Sequence, residues 1–276
     1  MKYTIRLFQL FLLLNSLIHS QSIVDNTSNI VAEKLFNENK YDLAIIEFFR
    51  INTLFPDNNN FIHNQSRIAE AYKNKGLYIE SINEYKKVLR LDKNHWNSVF
   101  QISSLFQSML HFYESNAFII DHVQNFQGVK LDSLFYLRGT NEFGLMDVDS
   151  AKHFFTLIKD EKLQVEARKA LNAIEKYQDK QHHSPKMAKY LNAVFPGLGY
   201  FYLGLIQTSL ATMSVEAIFL YSTLATYNNG YSFGSLMSGL FFTGFYAGSI
   251  YGAEQFAHKL NKNSHKKVFI GIKLQN

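Results

Sequence analysis

Cysteine is absent from the 276 residues, which excludes disulfides, thiol nucleophiles, thiolate metal sites and a lipid-modified cysteine at an export cleavage point. Other chemical signatures are missing too. No glycine-rich phosphate loop follows a strand pattern, no nucleophile elbow occurs, and carboxylates do not recur as a pair in settings that would separate their pKa values. His182-His183 has no third ligand in helical register. Glu254 and His258, one helical turn apart, read as a surface or interface pair. The chain is therefore not expected to be an enzyme, and neither a metal nor a cofactor is expected.

Excess charge is also scarce over most of the chain. Residues 1–183 hold 21 Lys+Arg against 21 Asp+Glu, whereas residues 184–276 hold 7 against 2. The formal charge of +5 thus arises beside apolar segments, a distribution that points to a membrane surface and away from nucleic acid. At the N-terminus, Lys2 and Arg6 precede the apolar run Leu7 to Leu14, and small residues follow. A dozen apolar residues are too few to cross a bilayer core of about 30 Å but suit an export signal. Residues 1–22 are accordingly expected to be a signal peptide, cleaved after Ser20 or Ser22.

Four segments of the middle region share one pattern. Ala32, Leu35, Tyr41, Ala44, Phe48 and Pro56 set the first, and Ala69, Tyr72, Gly76, Tyr78, Ser81, Tyr85 and Val88 the second. The third (Ser103, Phe106, Phe112, Ser115, Ile119) and fourth (Gly139, Val148, Ala151, Phe155, Ile158) are more degenerate. The small residues opening each second helix, Ala44, Ser81, Ser115 and Ala151, are spaced by 37, 34 and 36. A small residue lets two helices approach, and an aromatic fills the gap to the next pair.

In period and residue types this array resembles the tetratricopeptide repeat over about residues 25–162, with 163–180 predicted as a capping helix. The resemblance implies a right-handed superhelix over 25–181 whose concave face binds proteins or peptide segments. The groove positions it assigns are Asn29 and Glu33, then Ser66, Glu70 and Lys73, then Asn97, Ser104 and Gln107. As residues alone, these are also what solvated helix faces look like. Phe100 and Phe143 fall at groove-facing offsets as apolar anchors or as contacts within the chain.

After a linker at 182–186, with Pro185 placed to start a helix, the composition changes. Ten of the 14 glycines lie between Gly197 and Gly271, and Glu216 is the one charge between Tyr190 and Ala253. Two apolar runs, 200–226 and 233–253, are each long enough to span a bilayer. Gly244, Gly248 and Gly252 share one helix face suited to close helix packing in lipid and to self-association.

The motifs Ser184-Pro185, Pro196-Gly197-x-Gly199, Tyr202-x-Gly204, Tyr251-Gly252-Ala253 and Ala257-x-Lys259-x-Asn261 resemble the C-terminal membrane domain that follows repeat domains in some bacterial envelope proteins. That resemblance implies a membrane location and no particular activity. Two passages would return the basic tail to the outer face of the membrane. A third, through the segment broken at Pro196-Gly197, or an outer-membrane setting would remove that conflict. Glu216, an ionisable group in an apolar helix, is a functional position or the hydrogen-bonding partner of a neighbouring helix.

The expected protein is all-α: a repeat superhelix, a membrane domain of two to three helices over 187–262, and a basic tail over 263–276 whose stretch from Phe269 is either a docking strand or a frayed end. The expected function is a non-enzymatic scaffold at the bacterial cell envelope, its repeats periplasmic, its partners proteins and membrane lipid. The alternative is an assembly or transport component in which the C-terminal helices act and the repeats recruit clients.

Overall fold

The computed structural model describes residues 28–56, 60–179 and 182–273. The expected signal peptide lies outside them. Among the described residues there is no strand, and the chain runs through thirteen α-helices: α1 (28–37), α2 (Tyr41–Leu54), α3 (Phe61–Asn74), α4 (Tyr78–Leu91), α5 (Trp96–Ser108), α6 (Phe112–His122), α7 (Val129–Gly144), α8 (Val148–Thr156), α9 (Glu161–Asp179), α10 (Pro185–Val194), α11 (Leu198–Tyr202), α12 (Ile206–Asn228) and α13 (Ser232–Ile272). A short 3-10 turn follows α6. Two compact units divide between Ala167 and Arg168.

Six helix-to-helix turns share one construction, four in the first unit and two in the second. Each pivots on a residue with left-handed φ: Asn39 (59°), Gly76 (77°), Leu110 (63°), Met146 (66°), Gly204 (75°) and Gly230 (78°). The next backbone N–H reaches back five residues, as Leu77 does to the Tyr72 carbonyl at 3.0 Å and Leu205 to that of Tyr200 at 2.9 Å. This is the Schellman closure, which satisfies carbonyls left over at the helix end.

Five residues beyond each pivot stands a small residue, and twelve before that stands another: Ala32 with Ala44, Ala69 with Ser81, Ser103 with Ser115, Gly139 with Ala151, Gly197 with Ser209, Thr223 with Ser235. Where the later member is serine, its hydroxyl donates across the crossing to the earlier residue's carbonyl, at 2.7 Å for Ser81, 2.8 Å for Ser115 and Ser209, and 3.2 Å for Ser235. The four residues that set the sequence period therefore sit at helix crossings. The repeats' cores form around them: Phe36, Phe48, Ile51 and Ile68 with α1 to α3, then Ile82, Tyr85 and Ile102, then Val99, Ile119 and Leu134. The first unit is an all-α helical-repeat fold.

The second unit corrects two expectations. The first apolar run, 200–226, is broken at the Gly204 turn between α11 and α12, the second lies in α13, and no helix among the described residues is long and apolar enough to cross a membrane. Gln207, Thr208, Ser209, Thr212, Ser214 and Glu216 dilute α12, and glycine dilutes α13, so the two to three expected passages are not supported. Of the stretch from Phe269, residues 274–276 lie outside the described residues, and its first four residues are not a strand. They continue α13 to Ile272, with Phe269 and Ile272 buried.

The broken segment at Pro196-Gly197 is a tight corner. Asn192 Oδ1 accepts the N–H groups of Gly197 (2.9 Å) and Gly199 (3.2 Å). Gly197 is left-handed, and a Cβ at Gly199 would overlap the Ala188 carbonyl. Ser184 caps α10 by accepting the Met187 N–H, and Ala253 and Ala257 of α13 pack with Ala188, Tyr200 and Leu203.

Candidate protein-binding face

The first helices of successive repeats, α1, α3 and α5, are tied side to side by polar side chains. Glu33 on α1 accepts from Arg67 Nε (2.9 Å) and Nη2 (2.5 Å) on α3, and pairs with His63 Nε2 at 2.8 Å. Arg67 Nη1 reaches Glu70 one turn along at 2.9 Å, while its guanidinium lies 4.3 Å over the Phe36 ring. From the same helix Lys73 donates to Gln101 Oε1 of α5 at 3.1 Å.

This arrangement sets the electrostatics. Partial burial opposes ionisation of Glu33, but the hydrogen bonds and charges of Arg67 and His63 outweigh it and hold the carboxyl below its usual range. Arg67 is pushed up, first by its hydrogen bonds to Glu33. Both stay charged at neutral pH, so the line reads acid, base, acid, base, amide across three helices.

Of the residues assigned from sequence, Glu33, Glu70 and Lys73 belong to this line. Asn29 is half-buried near the start of α1 and Asn97 is exposed at the start of α5. Ser66 turns its hydroxyl to the Ile62 carbonyl within its own helix at 2.9 Å. Ser104 and Gln107 are buried, and Gln107 Nε2 donates to Thr140 Oγ1 (2.6 Å) and Asn141 Oδ1 (2.8 Å) of α7. It belongs to a buried polar seam that continues from Asn141 Nδ2 to Asn116 Oδ1 (2.9 Å) and from Asn116 Nδ2 to Glu142 Oε1 (3.0 Å). Phe143 is fully buried and so is core. Phe100 is half-buried beside Trp96, 5.5 Å between centroids.

Sequence reasoning passed over Arg67, His63 and Gln101. A signal for Arg67 was present, because it stands 34 residues after Glu33, one repeat, and three before Glu70.

In the second unit, Gly252 receives the Tyr200 side chain where a Cβ would collide with its hydroxyl, whereas a Cβ at Gly244 or Gly248 would meet nothing within 4 Å. Glu216 is buried against Ser249, whose Oγ lies 2.7 Å from Oε1. The rings of His182 and His183 lie edge-on to Tyr177 and Tyr202, and Lys189 pairs with Glu254 at 3.0 Å. Among the described residues no three or more His, Asp or Glu side chains cluster as metal ligands would.

What the α1–α3–α5 line offers chemically is a row of fixed charges and one amide at helix-to-helix spacing, suited to the polar groups of another polypeptide. No protein-family model matches the chain, and no curated protein matches it in sequence. Among solved structures, the chain is similar to a tetratricopeptide repeat protein from Parabacteroides merdae, at 14% identity and a TM-score of 0.46, with 89% of this chain and 98% of that one covered.

Proposed function

We propose that the protein is a non-catalytic scaffold whose α1–α3–α5 face binds another protein. The observation that carries this reading is the Glu33–Arg67–Glu70 and Lys73–Gln101 line, which joins three successive first helices into one charged surface. A rigid row of alternating charge selects partners by complementary charge and speeds their encounter. The test is photo-crosslinking from Asn97, beside this line, and from Glu80 on α4. Partners captured from Asn97 alone, and released by Lys73→Glu at unchanged thermal stability, support the reading. Equal capture from both positions sinks it.

The finer reading is an exported scaffold held at the bacterial envelope, its repeats periplasmic. Large exposed side chains on α12 and α13, among them Ile218, Tyr221, Leu224, Phe233, Leu236 and Leu240, favour contact with a membrane surface without crossing it. Flotation of the full-length chain with anionic vesicles tests this. Absence from the floating fraction removes the membrane from the proposal. The buried Glu216 favours a second reading, an assembly or transport component, which loss of function in Glu216→Gln would support.

A further inference from the structure

A groove runs between α12 and α13 in the second unit. Its space, about 500 Å³, lies within the roughly 300–1,000 Å³ of small-molecule sites. Glycine creates it. Phe219 stacks on Phe245 at 5.2 Å, but at Gly244 and Gly248, which line the groove, no atom comes within 4 Å of a Cβ position. Apart from Thr212, Ser249, Glu216 and Tyr200, the walls are apolar.

Glu216 is the anomaly in this setting. It is 2% exposed, and its Oε2 has no hydrogen-bond partner. A buried polar atom left so has given up its hydration with no hydrogen bond in return. Ser249 decides what could satisfy it. Ser249 Oγ receives Asn192 Nδ2 at 2.9 Å and stands 2.7 Å from Glu216 Oε1 and 2.9 Å from the Tyr246 carbonyl. If the serine proton points to Glu216, the group is a carboxylate or an acid protonated on Oε2. If it points to Tyr246, a protonated Oε1 donates to Ser249. The carboxylate and the acid protonated on Oε1 leave the buried Oε2 an acceptor, and the acid protonated on Oε2 makes that atom a donor; a hydroxyl on an otherwise apolar body complements each state. Burial also pushes the Glu216 carboxyl up, against the hydrogen bond from Ser249, which favours a neutral donor over an ammonium.

We propose that the α12–α13 groove binds a small alkyl alcohol, its hydrocarbon along Gly244 and Gly248 and its hydroxyl donating to Glu216 Oε2. The site does not depend on the protein-binding face of the first unit.

Calorimetric titration of the full-length chain with 1-octanol, its methyl ether and octanoate tests this. The expected result is one saturable site that takes 1-octanol at least about tenfold tighter than the ether, which keeps the chain but lacks the donor, and excludes the anion. Glu216→Leu abolishes that preference, Glu216→Gln retains it through the amide oxygen, and Gly248→Leu or Gly244→Leu blocks both neutral ligands with helix content unchanged. Equal affinity for alcohol and ether, a preference that survives Glu216→Leu, or no saturable site overturns the proposal. So does a dimer that 1-octanol leaves intact and Gly248→Leu dissolves, which would assign the groove to a second copy.

Discussion

Asn261 holds the backbone of His183 from both sides: its Nδ2 donates to the His183 carbonyl at 2.8 Å and its Oδ1 accepts the His183 N–H at 3.2 Å, across 78 residues of chain. The late motif at Ala257-x-Lys259-x-Asn261 and the early one at Ser184-Pro185 are thus two halves of one joint. Replacing Asn261 by alanine leaves two backbone groups short of partners, and is expected to cost about 1–3 kcal/mol in urea unfolding. Asn261→Gln is not expected to restore the loss, because the longer side chain displaces both amide atoms.

Gly199 and Gly244 predict opposite signs for the same substitution. A Cβ at Gly199 meets the Ala188 carbonyl and the Asn192 side chain, so Gly199→Ala is expected to destabilise by about 1–3 kcal/mol or to open the corner. Gly244 has open space around its Cβ position and lies inside α13, so Gly244→Ala is expected to stabilise by about 0.5–1 kcal/mol. Thermal unfolding of the two variants checks both signs.

Arg67→Ala probes the charged line. Glu33 is held below its ordinary value of 4.5, so the stabilisation linked to its ionisation is complete above the unfolded pKa and fades as pH falls through the folded one. The substitution is expected to cost about 0.2–1 kcal/mol at pH 7, as partly exposed pairs do. Its cost should shrink in urea titrations carried from pH 5 to pH 3.

Leu110 turns the third hairpin in the left-handed region with φ of 63° and is 65% exposed, so little packing offsets its backbone strain. Leu110→Gly is expected to raise stability by about 0.5–1 kcal/mol, the relief of strain outweighing the entropy of glycine. Differential scanning calorimetry reads this directly, and an unchanged or lower midpoint would mean that the turn relaxes without help.

The repeats were legible to the extent that their turns used ordinary turn residues. Gly76 marks the second hairpin openly, whereas Leu110 and Met146 occupy the same left-handed pivot in the third and fourth, where a sequence pattern expects glycine or asparagine. The groove residues were less legible. Glu33, Glu70 and Lys73 share the charged line because repeat offsets are conserved by helix stacking. Gln107 obeys the same offset yet points into a seam with Asn141, since amides suit a buried polar network as well as a wet surface. The pocket beside Glu216 could not be seen at all, because a Gly-xxx-Gly stripe reads identically whether a helix fills it, as Tyr200 does at Gly252, or nothing does.

By itself the sequence determined the all-α class and the repeat period, since small and aromatic residues recurring at fixed offsets have few ways to pack other than as stacked helix pairs. It also marked Glu216 as the one charge in an apolar stretch. Tertiary structure alone decided that the C-terminal apolar runs fold on the same Schellman turns and small-residue crossings as the repeats. It also decided that Asn192 takes up the backbone of the Pro196-Gly197 corner and that Glu216 keeps one carboxyl oxygen without a partner. Those outcomes depend on which distant backbone atoms come within hydrogen-bond reach, and periodicity along one chain carries no information about distances between its helices.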